Sequence, residues 1–120
     1  MARTNRRVFL YEGRRLGEWL PDVVERIVER FDPLRIVLFG SVARGEIGYD
    51  SDIDLLVVFP EVKREDKRRL AINIRRALLG VPVPVDVIVA DPDEISRRGK
   101  LIGTVLHAAL QEGEILHERS

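Results

Sequence analysis

No cysteine occurs in the 120 residues, so this chain can build neither a disulfide framework nor a thiolate metal centre. Aromatic residues are scarce at 6%, with one tryptophan, Trp19. No apolar run approaches the ~20 residues that a helical membrane span needs, and no signal-peptide core follows the arginine-rich start. An excess of either charge is also missing, because 20 Lys+Arg cancel 20 Asp+Glu. A generic nucleic-acid binder normally carries a basic surplus, so direct binding of that kind is not expected. These absences leave a cytoplasmic globular protein as the expectation.

What is present suits one compact domain: 45% hydrophobic residues, 33% charged residues and a length too short for two ordinary domains. A domain this size buries roughly two-thirds of the surface of its unfolded chain. Neither an internal repeat nor a linker is visible. The least regular part is the start, where Arg3, Arg6, Arg7, Arg14 and Arg15 surround the apolar patch Val8 to Tyr11. The expected division is an N-terminal extension, 1–20, ahead of a domain spanning 21–120.

Hydrophobic spacing then yields the elements. Val23, Val24, Ile27, Val28 and Phe31 recur at helical spacing after Pro21, and Asp32-Pro33 stops that helix. Ile36 to Phe39 and Ile53 to Phe59 read as buried strands, and Val83 to Ala90 as a third. A charged helix is expected over 61–79, with Leu70, Ile74, Ala77 and Leu78 inward and Gly80 as its stop. Asp91 or Asp93 would cap a short helix. A last helix places Ile102, Val105, Leu106, Ala109 and Leu110 on one side, and Ile115-Leu116 follows as a short strand. The expected fold is α/β (α+β): a small mixed β-sheet flanked by helices.

Three aspartates stand where core building would not put them. Asp52 and Asp54 open the second strand two residues apart, so they share a face. Asp86 interrupts an otherwise apolar strand that offers no neighbouring lysine or arginine in sequence. A bare carboxylate is costly to bury there. If the strands are neighbours, all three acids converge at one end of the sheet. Two unit charges ~4 Å apart repel by about 4 kcal/mol at an effective dielectric near 20. Such a trio must take up protons or recruit a cation, and hard oxygen ligands favour Mg²⁺ or Mn²⁺. A D-x-D pair alone is commonplace, with solvated loop acids as the usual explanation. Just upstream, however, Gly40 permits close backbone approach, and Ser41 adds a hydroxyl and free N–H groups at a helix start.

Gly40-Ser41, ten intervening residues, then Asp52-Ile53-Asp54 resembles the G-S-x10-D-x-D signature of the DNA polymerase beta-like nucleotidyltransferase superfamily. The longer strings Leu38 to Gly45 and Ser51 to Val57 are similar to its minimal nucleotidyltransferase (MNT) branch, of antitoxin type. The resemblance implies a polymerase-beta palm-like fold, with Gly40 and Ser41 holding the triphosphate of ATP. Asp52, Asp54 and Asp86 would bind Mg²⁺ or Mn²⁺, with Asp86 helping to activate the incoming hydroxyl. Arg44 would touch a phosphate and Ser51 would orient Asp52; the alternatives are a surface arginine held by a carboxylate and a turn serine.

The same resemblance implies a partner, because 120 residues are not expected to leave room for a second domain that grips an acceptor. MNT proteins are often encoded beside HEPN-type helical toxins, and some transfer AMP onto a tyrosine of the toxin. The expected activity is therefore protein adenylylation by the antitoxin of a toxin–antitoxin pair. Two alternatives stay open: a non-catalytic antitoxin that binds its toxin, and a nucleotidyltransferase acting on a small molecule such as an aminoglycoside. A homo-oligomer is also possible. His107, offset from the last helix's apolar stripe, and His117 are expected to be structural or solvated. Trp19 and Tyr11 are expected to anchor the N-terminal segment rather than stack on a base. The run Lys63 to Arg69 is expected to be a solvated helix face.

Overall fold

The computed structural model describes residues 9–48, 51–101 and 103–119. Its centre is a four-stranded mixed sheet. The strands are β3 (Arg35–Phe39), β4 (Ile53–Val58), β5 (Val85–Ala90) and β6 (Glu114–Glu118), in the spatial order β5-β4-β3-β6. A two-residue hairpin, β1 (Leu10–Tyr11) and β2 (Arg14–Arg15), precedes them. β3 runs antiparallel to both β4 and β6, whereas β4 and β5 are parallel. A parallel pair needs a crossover, supplied by α3 (Lys67–Ala77).

Strand alternation sends the apolar residues to two faces. Ile36, Leu38, Ile53, Leu55, Val57, Val87 and Val89 face a larger core closed by Val23 and Ile27 of α1 (Leu20–Phe31) and Ile74 of α3. Val37, Phe39, Leu56, Val58 and Ala90 face a smaller one, covered by α4 (Pro92–Arg98) and α5 (Val105–Glu112) through Ile95, Leu106, Ala109 and Leu110. Packing extends ahead of residue 21, since Leu16 is buried in the larger core and Tyr11 and Trp19 lie against it.

Local chemistry explains most boundaries. Pro21 sits in the first turn of α1, and Asp32 closes the helix in the left-handed region at φ 47°. Asp91 caps α4 by accepting from the Glu94 N–H at 2.8 Å. Thr104 caps α5 in the same way at the His107 N–H, 3.0 Å. That cap starts the last helix at Val105; Ile102 lies outside the described residues. The helix expected over 61–79 begins later, after a 3-10 turn at Arg64–Asp66. Its first residues are held extended because the Val62 N–H donates to Asp91 Oδ2 at 3.0 Å. The expected third strand starts at Val85 rather than Val83, while the Pro84 carbonyl accepts from the Ile53 N–H. Among the described residues, no helix is long and apolar enough to cross a membrane.

Candidate active site at the Gly40-Ser41 corner

The two-residue period that places Leu56 and Val58 in the smaller core places Asp54 and Asp52 on that same face, beyond the apolar cover. Register completes the group. Asp54 pairs with Phe39 on one side and with Asp86 on the other, so the acidic position of β5 lies directly beside that of β4. One carboxylate oxygen from each of Asp52, Asp54 and Asp86 lies within 4.8 Å of the other two. Asp52 and Asp54 are half-buried, and Asp86, on the edge strand, is exposed.

These acids destabilise one another's charge. Burial, then the nearby Asp52 and Asp86 carboxylates, pushes Asp54 up to about 6. Burial also raises Asp52, assisted by a hydrogen bond and repulsion from Asp86. Three oxygen donors at this spacing, with two reluctant to ionise unaided, fit a hard divalent cation.

Gly40 follows β3 at φ 77° and opens the four-residue helix α2 (Gly40–Ala43). A Cβ at this position would lie 2.2 Å from Asp54 Oδ2, so only glycine lets the corner touch the acids. Ser51 is buried and ties itself to Gly48 and Ser41. Its hydroxyl accepts from the Gly48 N–H at 2.8 Å and lies 3.5 Å from the Ser41 hydroxyl. Ser51 thus acts on the backbone that leads into Asp52; no hydrogen bond joins the two side chains among the described residues.

Arg44 lies beside the corner, gripped by Glu46 through Nε at 3.1 Å and by Glu112 through Nη1 at 3.0 Å. The two carboxylates reinforce its charge. Glu112 Oε1 also accepts from the Gly40 N–H at 3.3 Å.

Two contacts escaped the sequence reading. Asp86 does have a cationic partner: Arg75 of α3 donates to it at 3.2 Å. Arg75 stands eleven residues upstream, and only the crossover brings it back. Glu112 offered one signal, an acid at a helix C-terminus, where the helix dipole disfavours it.

The remaining candidates are structural. Trp19 Nε1–H donates to the Tyr11 carbonyl at 2.9 Å, and the Arg14 guanidinium lies 4.1 Å from the ring centroid, so the N-terminal segment uses both aromatics. His107 Nδ1 meets the Gly99 carbonyl at 3.0 Å. His117 sits on β6 opposite Ile36. Within the run Lys63 to Arg69, Lys67 departs from the solvated expectation: it is half-buried and paired with Glu94.

A family model described as a nucleotidyltransferase domain matches residues 18–108. Among solved structures, the chain is similar to a Sulfolobus solfataricus protein described as a candidate nucleotidyltransferase. The TM-score is 0.61 and the identity 27%, covering 87% of this chain and 81% of that one. A toxin–antitoxin structure with AMP-PNP matches at TM-score 0.52 and 22% identity, covering 83% and 73%. A variant of the toxin–antitoxin MntA–HpeT matches at 0.51 and 20%, again covering 83% and 73%; these two likenesses speak for the fold alone. No curated protein sequence matches.

Proposed function

Since the chain belongs to the nucleotidyltransferase domain family, we propose that it transfers AMP from ATP to a hydroxyl of a partner protein, as the antitoxin of a toxin–antitoxin pair. The observation that carries the reading is the register Asp54 opposite Asp86, which gathers three carboxylates beside the Gly40-Ser41 corner. Asp52, Asp54 and Asp86 hold Mg²⁺ or Mn²⁺. When bound, the ion neutralises charge on the phosphates and favours ionisation of the attacking hydroxyl.

The chain's own groups divide the remaining work. The Gly40 corner and the Ser41 hydroxyl position the triphosphate, Arg44 offsets its charge, and Ser51 fixes the loop entering Asp52. Asp86 is the exposed member of the trio and lies on an edge strand, and this reading assigns it to the acceptor. It takes the hydroxyl proton as the oxygen forms its bond to the α-phosphorus. The bond to the β-phosphate bridge breaks, and pyrophosphate leaves.

The acceptor is a tyrosine of a HEPN-type helical toxin. Support comes from the MNT resemblance and from the shared fold with a toxin–antitoxin structure containing AMP-PNP. The test incubates the protein with α-labelled ATP, Mg²⁺ and the product of the adjacent gene. Label on a tyrosine of that protein, with one pyrophosphate released per label, is expected. Asp52→Asn/Asp54→Asn should abolish both. A wild-type protein that labels no protein but adenylylates an aminoglycoside overturns the assignment.

A further inference from the structure

Glu112 ends α5 at the helix terminus least hospitable to a carboxylate. Its Oε1 nevertheless bridges two donors, the Gly40 N–H at 3.3 Å and Arg44 Nη1 at 3.0 Å. A backbone N–H and a guanidinium converging on one anionic oxygen is also how a phosphate oxygen is held. These are the donors that the proposed function assigns to the triphosphate. The same two donors cannot serve both anions at full strength, and a polyphosphate arriving there meets like charge.

The surroundings allow exchange by side-chain rotation alone. The chain after Glu112 is pinned: a Cβ on Gly113 would fall 2.3 Å from Val37 Cγ1 and 2.2 Å from the Ala109 carbonyl oxygen. The Glu112 side chain itself retains 32% of its exposure, so its carboxylate can turn towards water. Arg44 stays tethered by Glu46 when Glu112 leaves.

We propose that Glu112 is an internal anion that closes the phosphate corner in the free protein and is displaced by the triphosphate, thereby setting nucleotide affinity. This inference rests on the nucleotide-binding reading above. It differs in sign from a role in which Glu112 merely orients Arg44, because losing an orienting group weakens binding and losing a competitor strengthens it.

Calorimetric titration with AMP-PNP and Mg²⁺ reads that sign directly. Glu112→Gln and Glu112→Ala, confirmed as folded by thermal melting, should bind about tenfold more tightly than wild type, the scale of one charge-assisted hydrogen bond. In an Arg44→Ala background the gain from Glu112→Gln should shrink to about threefold or less, since one of the two shared donors is gone. Equal or weaker binding by the folded Glu112 variants, with wild type binding normally, overturns the competitor role and leaves the nucleotide site standing. If neither wild type nor any variant binds, the nucleotide-site reading falls and the competitor falls with it.

A second measurement needs no variant. With sodium tripolyphosphate and Mg²⁺ added to isotope-labelled wild type, the Gly40 amide and the Glu112 carboxyl carbon should shift together in NMR spectra. A Gly40 shift with an unmoved Glu112 carboxyl overturns the proposal.

Discussion

The parallel pair β4–β5 carries aspartates at both of its ends, and they have opposite surroundings. At the C-terminal end, Asp91 accepts from the Glu94 and Val62 N–H groups, which hold its carboxyl below the usual range. At the N-terminal end, Asp52, Asp54 and Asp86 face one another, and the first two are pushed upwards. One end uses an acid to satisfy backbone donors, so it contributes stability. The other holds acids together against their repulsion, which costs stability and makes chemical sense only with a cation. Residue type does not separate these roles; the supply of donors does.

The sharpest way to break this contrast is to neutralise one acid at each end. Asp54→Asn should lower nucleotidyl transfer by about a thousandfold or more, because the proposed site would lose one metal ligand and its charge. The folded state should keep or gain stability, measured by urea unfolding in chelator. A variant that loses activity only because it unfolds would erase the distinction. Gly40→Ala belongs to the same end. Its new Cβ would sit at positive φ and 2.2 Å from Asp54 Oδ2, so activity should collapse together with a stability loss on the order of 2 kcal/mol.

Asp91→Ala tests the opposite end. It removes the α4 cap and the tie to Val62, so about 1–2 kcal/mol of stability should go, while transfer per folded molecule stays near wild type. An Asp91→Ala protein that melts normally but loses transfer would contradict the assignment.

Why one end could be read from sequence and its neighbours could not follows from the range of the interactions. The D-x-D parity is local, since alternate residues of a strand share a face, and Gly40 announces itself as a residue where a Cβ would intrude. The Asp91 cap spans three residues and is equally local. Asp86 was visible only as a breach in an apolar run, and its meaning came from strand pairing that spacing alone cannot supply. Arg75 and Glu112 reach the site from α3 and the end of α5, through the crossover and the packing of Gly113 on Val37. The late start of α3 has the same origin, because the donor of Val62 is taken by an acid twenty-nine residues away.

Acidity should pull the two ends in opposite directions. Asp54, raised to about 6, binds a proton more readily in the folded protein than in the unfolded chain, so folding gains stability as pH falls from 7 towards 5. Asp91, lowered, contributes stability above the ordinary carboxylate pKa of about 3.9 and loses it as pH falls through its depressed native value. Urea unfolding in chelator should therefore show a rise between pH 7 and pH 5 that Asp54→Asn removes. Saturating Mn²⁺ should stabilise wild type at pH 7 and flatten or reverse that rise, because the ion competes with the proton for the same oxygens. An unchanged slope with Mn²⁺ present would mean that the trio does not take up the ion.

The smallest expected effect belongs to Arg75, the one cation paired with the acidic end among the described residues' salt bridges to Asp86. Both partners are about half exposed, at 51% and 57%, so water screens the pair and its contribution to stability should stay below about 1 kcal/mol. Its consequence lies in competition. Arg75 supplies Asp86 with positive charge that a metal would otherwise supply, so Arg75→Gln should tighten Mn²⁺ binding by no more than about fivefold, with melting nearly unchanged. Weaker binding would instead make Arg75 a residue that holds Asp86 in place for the ion. Either sign sharpens the contrast with Asp91, whose partners are backbone N–H groups that no metal displaces.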